Sequence, residues 1–410
     1  RGRLRMLLRF LRVFALLVIV ALLVIAAPPG LVVAQSETSS PETDGSGEPN
    51  SAEPQAGDRS LTTRLSFYNN GDSGDGNPFL DESLTVVEPV FIFDHQVTDA
   101  FGYAIDIHYD YVSSASIDRL SDFPEQSGAS ADNYIGTKLS GRWNLSDGWK
   151  AGGSFSVSGE YDYKSIGFGG NISRPVAGQD ATIGLSIHGY FDDLSIIRYN
   201  GEQDGNEART SVSTTASWYQ VLTPDLHGSF GVTATFQDGF LSTPYNAVVI
   251  EDPLAPPNPN LDNNALGFET AEVLPDARVR TAFFGRVRGF VSTGRAWELG
   301  GRIYSDDWGI TSFSFEPRWY QTVIESKLDA MVRYRFYSQT AADDYGEHFF
   351  VPEQFMTQDS DLAELNSNTI GGRLIWHLDD GDHISLGLDH VLRSDGLDQI
   401  LATCSWEHSF

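Results

Sequence analysis

From Leu61 to Phe410, apolar and polar residues alternate with period two in segment after segment, and turn residues separate the segments. Such alternation gives an extended strand one apolar and one polar face. In 101–112, Tyr103, Ile105, Ile107, Tyr109 and Tyr111 oppose Ala104, Asp106, His108 and Asp110. In 181–191, Ile183, Leu185 and Ile187 oppose Thr182, Ser186 and His188. The last segment sets Ile400, Ala402, Cys404, Trp406, His408 and Phe410 against Leu401, Thr403, Ser405, Glu407 and Ser409. The pattern predicts strands at 61–68, 84–93, 101–112, 134–145, 149–161, 164–174, 181–191, 211–221, 226–237, 278–291, 296–305, 310–323, 327–338, 369–378, 383–393 and 398–410. The second and eighth are the least regular. Pro89 inside the second calls for an irregularity or a bulge, because proline cannot donate to a ladder.

Connection lengths sort by parity. The long ones, 69–83, 113–133, 192–210, 238–277 and 339–368, follow the first, third, seventh, ninth and thirteenth segments. Those after even-numbered segments are short, as at Ser146-Asp147-Gly148 and Thr223-Pro224-Asp225. Membrane barrels have short periplasmic turns and long external loops, and their tilted strands need about 9–11 residues. The expected fold class is therefore all-β, a transmembrane antiparallel β-barrel of sixteen strands, with fourteen and eighteen the neighbouring counts. A final strand with Trp406 and Phe410 on its apolar face looks like the assembly signal of bacterial outer-membrane barrels. The edge strand of a soluble sandwich would alternate in the same way. The barrel reading implies an outer-membrane location, a lipid surround, and the barrel-assembly machinery and periplasmic chaperones as biogenesis partners.

The amino terminus agrees with export. Arg1, Arg3, Arg5, Arg9 and Arg12 precede an uncharged run, Val13 to Ala27, and Pro28-Pro29-Gly30 ends any helix. Residues 1–34 read as a signal peptide cut after Ala34, with Met6 as a second candidate start. The run is short for an anchor, which needs roughly 20 residues. Residues 35–59 read as a disordered, acidic Ser/Pro/Glu-rich linker with no large apolar side chain to bury. Residues 60–410 read as the barrel.

Composition changes the picture in two places. Cys404 is the single cysteine, so an internal disulfide is excluded. The net charge is −29, and removing the leader takes five arginines and no acid, leaving −34. That excludes nucleic acid as a partner.

The chemistry lies on the inward faces. With Val279, Phe283, Val287 and Val291 toward lipid, Arg278, Arg280, Arg286 and Arg288 turn inward. The same parity turns Arg302 and Glu298, Arg318 and Glu316, and Arg333, Arg335 and Asp329 into the lumen. A charge on the lipid face costs about 2–4 kcal/mol at mid-membrane, which forces this assignment if the strands span. Two readings remain open, an anion-selective basic stripe and an arginine–carboxylate network bracing a narrow barrel. Asp106, Asp110, Glu160 and Asp162, with His108, form the opposing acidic wall and would give a transverse field.

Enzyme signals are weak. His108 with Asp106 and Asp110 resembles a protease couple, but reads as a hydrogen-bonding lumen residue. Asp306-Asp307-Trp308-Gly309 reads as a hairpin turn rather than a metal site. No catalytic residue, metal ligand or cofactor is expected, and Cys404 on the outward face is expected to pack against lipid. Loop 238–277, rich in proline, is expected to cap the external mouth, and loop 339–368 to fold inward or against the wall.

Four local patterns resemble an uncharacterised family of bacterial outer-membrane proteins known as a domain of unknown function. They are 109–116 (Tyr109-Asp110-Tyr111 to Ser116), 160–165 (Glu160-Tyr161-Asp162-Tyr163-Lys164-Ser165), 304–310 (Tyr304 to Ile310) and 333–339 (Arg333 to Gln339). In that family the first pattern closes on Pro and Arg, whereas Ile117-Asp118-Arg119 stands here. The resemblance implies an outer-membrane barrel, and no catalytic residues come with it. It also implies an envelope or redox role, because its members are often encoded near flavin-transfer and thioredoxin-like proteins. The expected function is a passive, arginine-lined channel or porin for small solutes. The alternatives are a non-conducting barrel anchoring an envelope partner of unknown identity, and a hydrolase at the rim.

Overall fold

The computed structural model describes residues 54–71, 84–114, 132–176, 180–254, 267–378 and 381–410. Residues 1–34, read from the sequence as a signal peptide, and almost all of 35–59, read as a linker, lie outside them, as do most of the first two long connections. Among the described residues eighteen strands follow one another: β1 (Arg59–Gly71), β2 (Leu84–Thr98), β3 (Phe101–Ser114), β4 (Asp132–Asn144), β5 (Lys150–Gly159) and β6 (Tyr163–Val176). Then come β7 (Ala181–Ile197), β8 (Gln203–Thr223), β9 (Leu226–Gly239), β10 (Ala247–Glu251), β11 (Gly267–Ala271) and β12 (Ala277–Ser292). The series ends with β13 (Arg295–Asp306), β14 (Thr311–Ile324), β15 (Leu328–Gln339), β16 (Leu365–His377), β17 (His383–Arg393) and β18 (Asp398–Ser409).

Sixteen of these close a single barrel in which every pairing is antiparallel, and β1 pairs with both β2 and β18. The remaining two, β10 and β11, form a separate hairpin. Closure gives each strand two partners, so no backbone edge is left for lipid to leave unsatisfied. Among the described residues no helix is long and apolar enough to cross a membrane.

Alternation decides the two faces. Ile135, Phe230, Phe283, Ile303 and Ile370 point outward and are each more than half exposed. Large apolar side chains bare all round a barrel are what a lipid surround requires. Outside the barrel, Gly285 and Gly301 are cross-strand partners, and an apolar hollow forms over them between Phe283, Ile303, Phe313, Phe315 and Phe336. Tight turns join the strands at the opposite end from the long loops. At one of them Gly294 has φ +70°, and a Cβ there would lie 2.7 Å from Thr322, so only glycine fits.

Pro89 brings the irregularity expected of it rather than a bulge: the β2–β3 ladder skips Glu88 and Pro89 and resumes in the same register at Val90–His108, while the register shift lies between Gln96 and Thr98. Two sequence expectations need correcting. The long connection 192–210 is mostly strand, because β7 and β8 stay paired to Ile197 and Gln203 and leave a short turn. This ribbon rises beyond the mouth, where side chains need not alternate. Cys404 and Trp406 have outward parity but are buried, and Trp406 Nε1 donates to Asp382 at 3.2 Å. His408 stacks on both Trp406 and Phe410, so this end of β18 packs on its own aromatics rather than lying bare to lipid.

Candidate functional site

Register brings the sequence-predicted arginines together on one wall. On β12 to β14, Glu298 is buried and takes Arg286 Nε at 3.1 Å, Arg288 Nε at 2.9 Å and Arg318 Nη1 at 3.6 Å. Arg318 also donates to Glu316 at 2.5 Å, and Arg333 reaches Glu316 at 3.4 Å and Asp389 on β17 at 2.8 Å. Arg288 lies over the Tyr320 ring at 4.3 Å and Arg335 over Tyr337 at 5.3 Å. The result is a ladder in which carboxylates alternate with guanidiniums across neighbouring strands. Planar forks suit such shared, part-buried pairing.

The ladder leaves the wall positive. Inward parity on β12 to β16 holds Arg278, Arg280, Arg286, Arg288, Arg302, Arg318, Arg333, Arg335 and Arg373 against Glu298, Asp306, Glu316 and Asp329; β17 adds Arg393 and Asp389. Ten arginines face five carboxylates. Arg373, exposed in the lumen, was not singled out in the sequence, although its place two residues from Gly371 in an alternating strand would have revealed it.

Ring order sets β3 diametrically opposite β13, and β5 opposite β15. Asp106 and Asp110 therefore do face the arginine wall, from β3. They are interleaved with cations: Asp106 is the register partner of Lys138, Arg142 pairs with Asp94, and Arg64 lies 3.6 Å from Glu88. Glu160 and Asp162 sit in the β5–β6 turn, at the mouth rather than on the wall. His108 lies inside the lumen with its ring against Tyr134, away from the rim where a hydrolase couple would be needed. Between the two charged walls, β8 and β9 present neutral hydroxyls, with Ser213 and Thr235 at 2.5 Å and Thr215 and Thr233 at 2.8 Å. Among the described residues no group of three His, Cys, Asp or Glu is placed to hold a metal ion.

Residues 240–254, 267–276 and 340–364 fold together into a cap on the mouth. Val248, Ile250, Phe349 and Met356 form its core, and β-bridges join Ile250 to Phe349 and Val273 to Met356. The cap is tied to the barrel around the rim: Tyr245 donates to Asp162, Tyr199 to the Glu269 carbonyl at 3.1 Å, and Arg393 to Asp361 at 2.6 Å. Inside it, Glu272 accepts from Thr357 at 2.6 Å and from the Thr243 amide at 2.6 Å, while Asn246 donates to Asp359 at 3.1 Å. Burial pushes both carboxyls above the ordinary carboxylate range. For Asp359 the neighbouring charge of Glu272 adds to the rise, and Arg393 opposes it.

A family model described as a protein of unknown function, DUF3570, matches residues 134–399, more than half of the chain. The chain belongs to this family. The DUF3570 match runs from β4 to β18 and contains three of the four patterns quoted from the sequence; 109–116 precedes it. No curated protein matches. Among solved structures, a bacterial polysaccharide outer-membrane secretin is similar at 10% identity and TM-score 0.47, covering 85% of this chain and 98% of that one. OccK1 (OpdK) of Pseudomonas aeruginosa is similar at 8% identity and TM-score 0.41, covering 86% and 98%. The siderophore receptor PirA of Acinetobacter baumannii is similar at 9% identity and TM-score 0.43, covering 83% of this chain and 54% of the receptor. Identities this low carry no cargo from those proteins to this DUF3570 member.

Proposed function

We propose that the chain is an outer-membrane barrel that passes small anionic solutes passively along its arginine wall. The observation that carries this reading is the charge of that wall, ten inward arginines against five carboxylates. Had the arginines served only as braces, carboxylates would match them one for one. The excess charge is fixed in place by the ladder, so it acts on a passing solute without reorganising. The apolar belt supports the membrane location, and the cap limits what enters.

The test is swelling of proteoliposomes in isotonic solutes of matched size. An anionic solute is expected to enter several-fold faster than a neutral one and a cationic one slowest. Equal rates for all three would remove the arginine wall from the account. A second reading, a closed barrel that anchors an envelope partner of redox type, is favoured by the folded cap and by the depth of the ion pairs. It predicts no swelling with any solute from barrels shown to be folded.

A further inference from the structure

One part-buried arginine of the wall makes no ion pair among the described residues, and the carboxylate in register with it is already saturated. Arg280 on β12 lies in register with Thr235 on β9 and Asp306 on β13, just below the cap. Asp306 is its nearest carboxylate in the ladder. That group accepts Arg278 Nε at 2.9 Å and Nη2 at 2.5 Å, the Tyr304 hydroxyl at 2.6 Å, and the amides of Trp308 at 3.1 Å and Ile310 at 2.9 Å. An ionised carboxylate offers about four acceptor sites, so none is left. Asp192 on β7 is likewise engaged, by Ser165 at 2.7 Å and Arg209 at 2.8 Å. The other neighbours, Thr235 and Ser213, are neutral and bonded to one another.

Arg280 consequently makes no ion pair among the described residues, and its Nε is buried without an acceptor. A buried donor of a charged group left unsatisfied is costly, and Arg278 beside it adds repulsion. A second guanidinium set next to a saturated pair is the arrangement that gains most from an incoming anion. We propose that Arg280 is an oxyanion-binding subsite below the cap, taking the carboxylate or phosphate group of a small solute. It gives the anion path a fixed stopping point, and it relies on that reading for the ligand's way in.

The experiment is phosphorus NMR of inorganic phosphate titrated with the folded, full-length chain in detergent, with folding checked by heat-modifiable gel migration. The wild type is expected to broaden the phosphate resonance saturably. Arg280→Gln should weaken apparent affinity about ten-fold, which is about 1.4 kcal/mol, and Arg280→Lys should keep part of it. Lys138→Gln removes one lumen cation from the opposite wall and should bind like the wild type. The proposal is overturned if the wild type shows no saturable broadening, if Arg280→Gln binds as well as the wild type, or if Lys138→Gln loses as much as Arg280→Gln. Acetate competing for the phosphate site would extend the ligand class to carboxylates. Because binding is read in detergent, a barrel that binds phosphate yet conducts nothing would sink the channel and leave the subsite standing.

Discussion

Glu298 holds more of the wall together than any other side chain. Buried between strands, it meets Arg286, Arg288 and Arg318 at once, so its loss strands three guanidiniums in a low-dielectric wall. Glu298→Gln is expected to destabilise the folded barrel by about 3 kcal/mol, the order for breaking a buried pair from one side; urea titration in lipid vesicles measures it. Asp389→Asn removes only the partner of Arg333, which keeps Glu316. It should cost clearly less in the same titration. Equal losses for the two would mean that Glu298 is no hub. Gly294→Val has a different cause, since φ +70° and Thr322 at 2.7 Å oppose any side chain. It should slow or block folding while leaving the wall's charge untouched, as followed by gel migration over time.

Among the elements, the cap is where chemistry and movement meet. Its ties to the rim are polar contacts, and Tyr245 to Asp162 is one of them. Tyr245→Phe is expected to weaken the cap by about 1 kcal/mol, seen as faster amide exchange at Val248 to Ile250. Glu272 and Asp359 make the same segment pH-sensitive. Their folded pKa values lie above the unfolded ones, so the folded cap binds protons more tightly than the open one. Their contribution is fully present below the ordinary carboxylate range and is lost as pH rises through the raised values. Exchange at Val248 to Ile250, corrected for its intrinsic rate, should accelerate as pH rises out of the ordinary carboxylate range and through about 6, the value to which Asp359 is pushed. Glu272→Gln should flatten the trend, and an unchanged slope would contradict it. A cap from 238–277 was expected from the sequence, but the pairing of its two loops was not legible there. The continuous apolar run of β10 marks a buried strand, but its partner near Phe349 lies about a hundred residues away in the chain. The β7–β8 ribbon was missed for another reason. Beyond the membrane nothing forces alternation, so Asp192 to Glu207 reads as loop.

In the whole molecule, the barrel was legible because lipid and lumen impose opposite demands on successive residues. Sixteen alternating segments therefore showed both strand number and facing, and Arg280, Arg286 and Arg333 could be turned inward from parity alone. Parity does not tell which acid meets which base. Arg333 and Asp389 are joined by the register of β15 to β17, and nothing local to either residue specifies that. The two sequence readings of the arginines, brace and proposed filter, do not exclude one another, since five carboxylates tie the wall together and the surplus of arginines leaves it positive. The most direct test is the reversal potential of the refolded chain in a planar bilayer under a potassium chloride gradient. The account predicts steady conductance with chloride favoured over potassium, and a shift toward no preference when Arg286 and Arg373 are both replaced by Gln. Cation preference, or a folded barrel that never conducts, would contradict it.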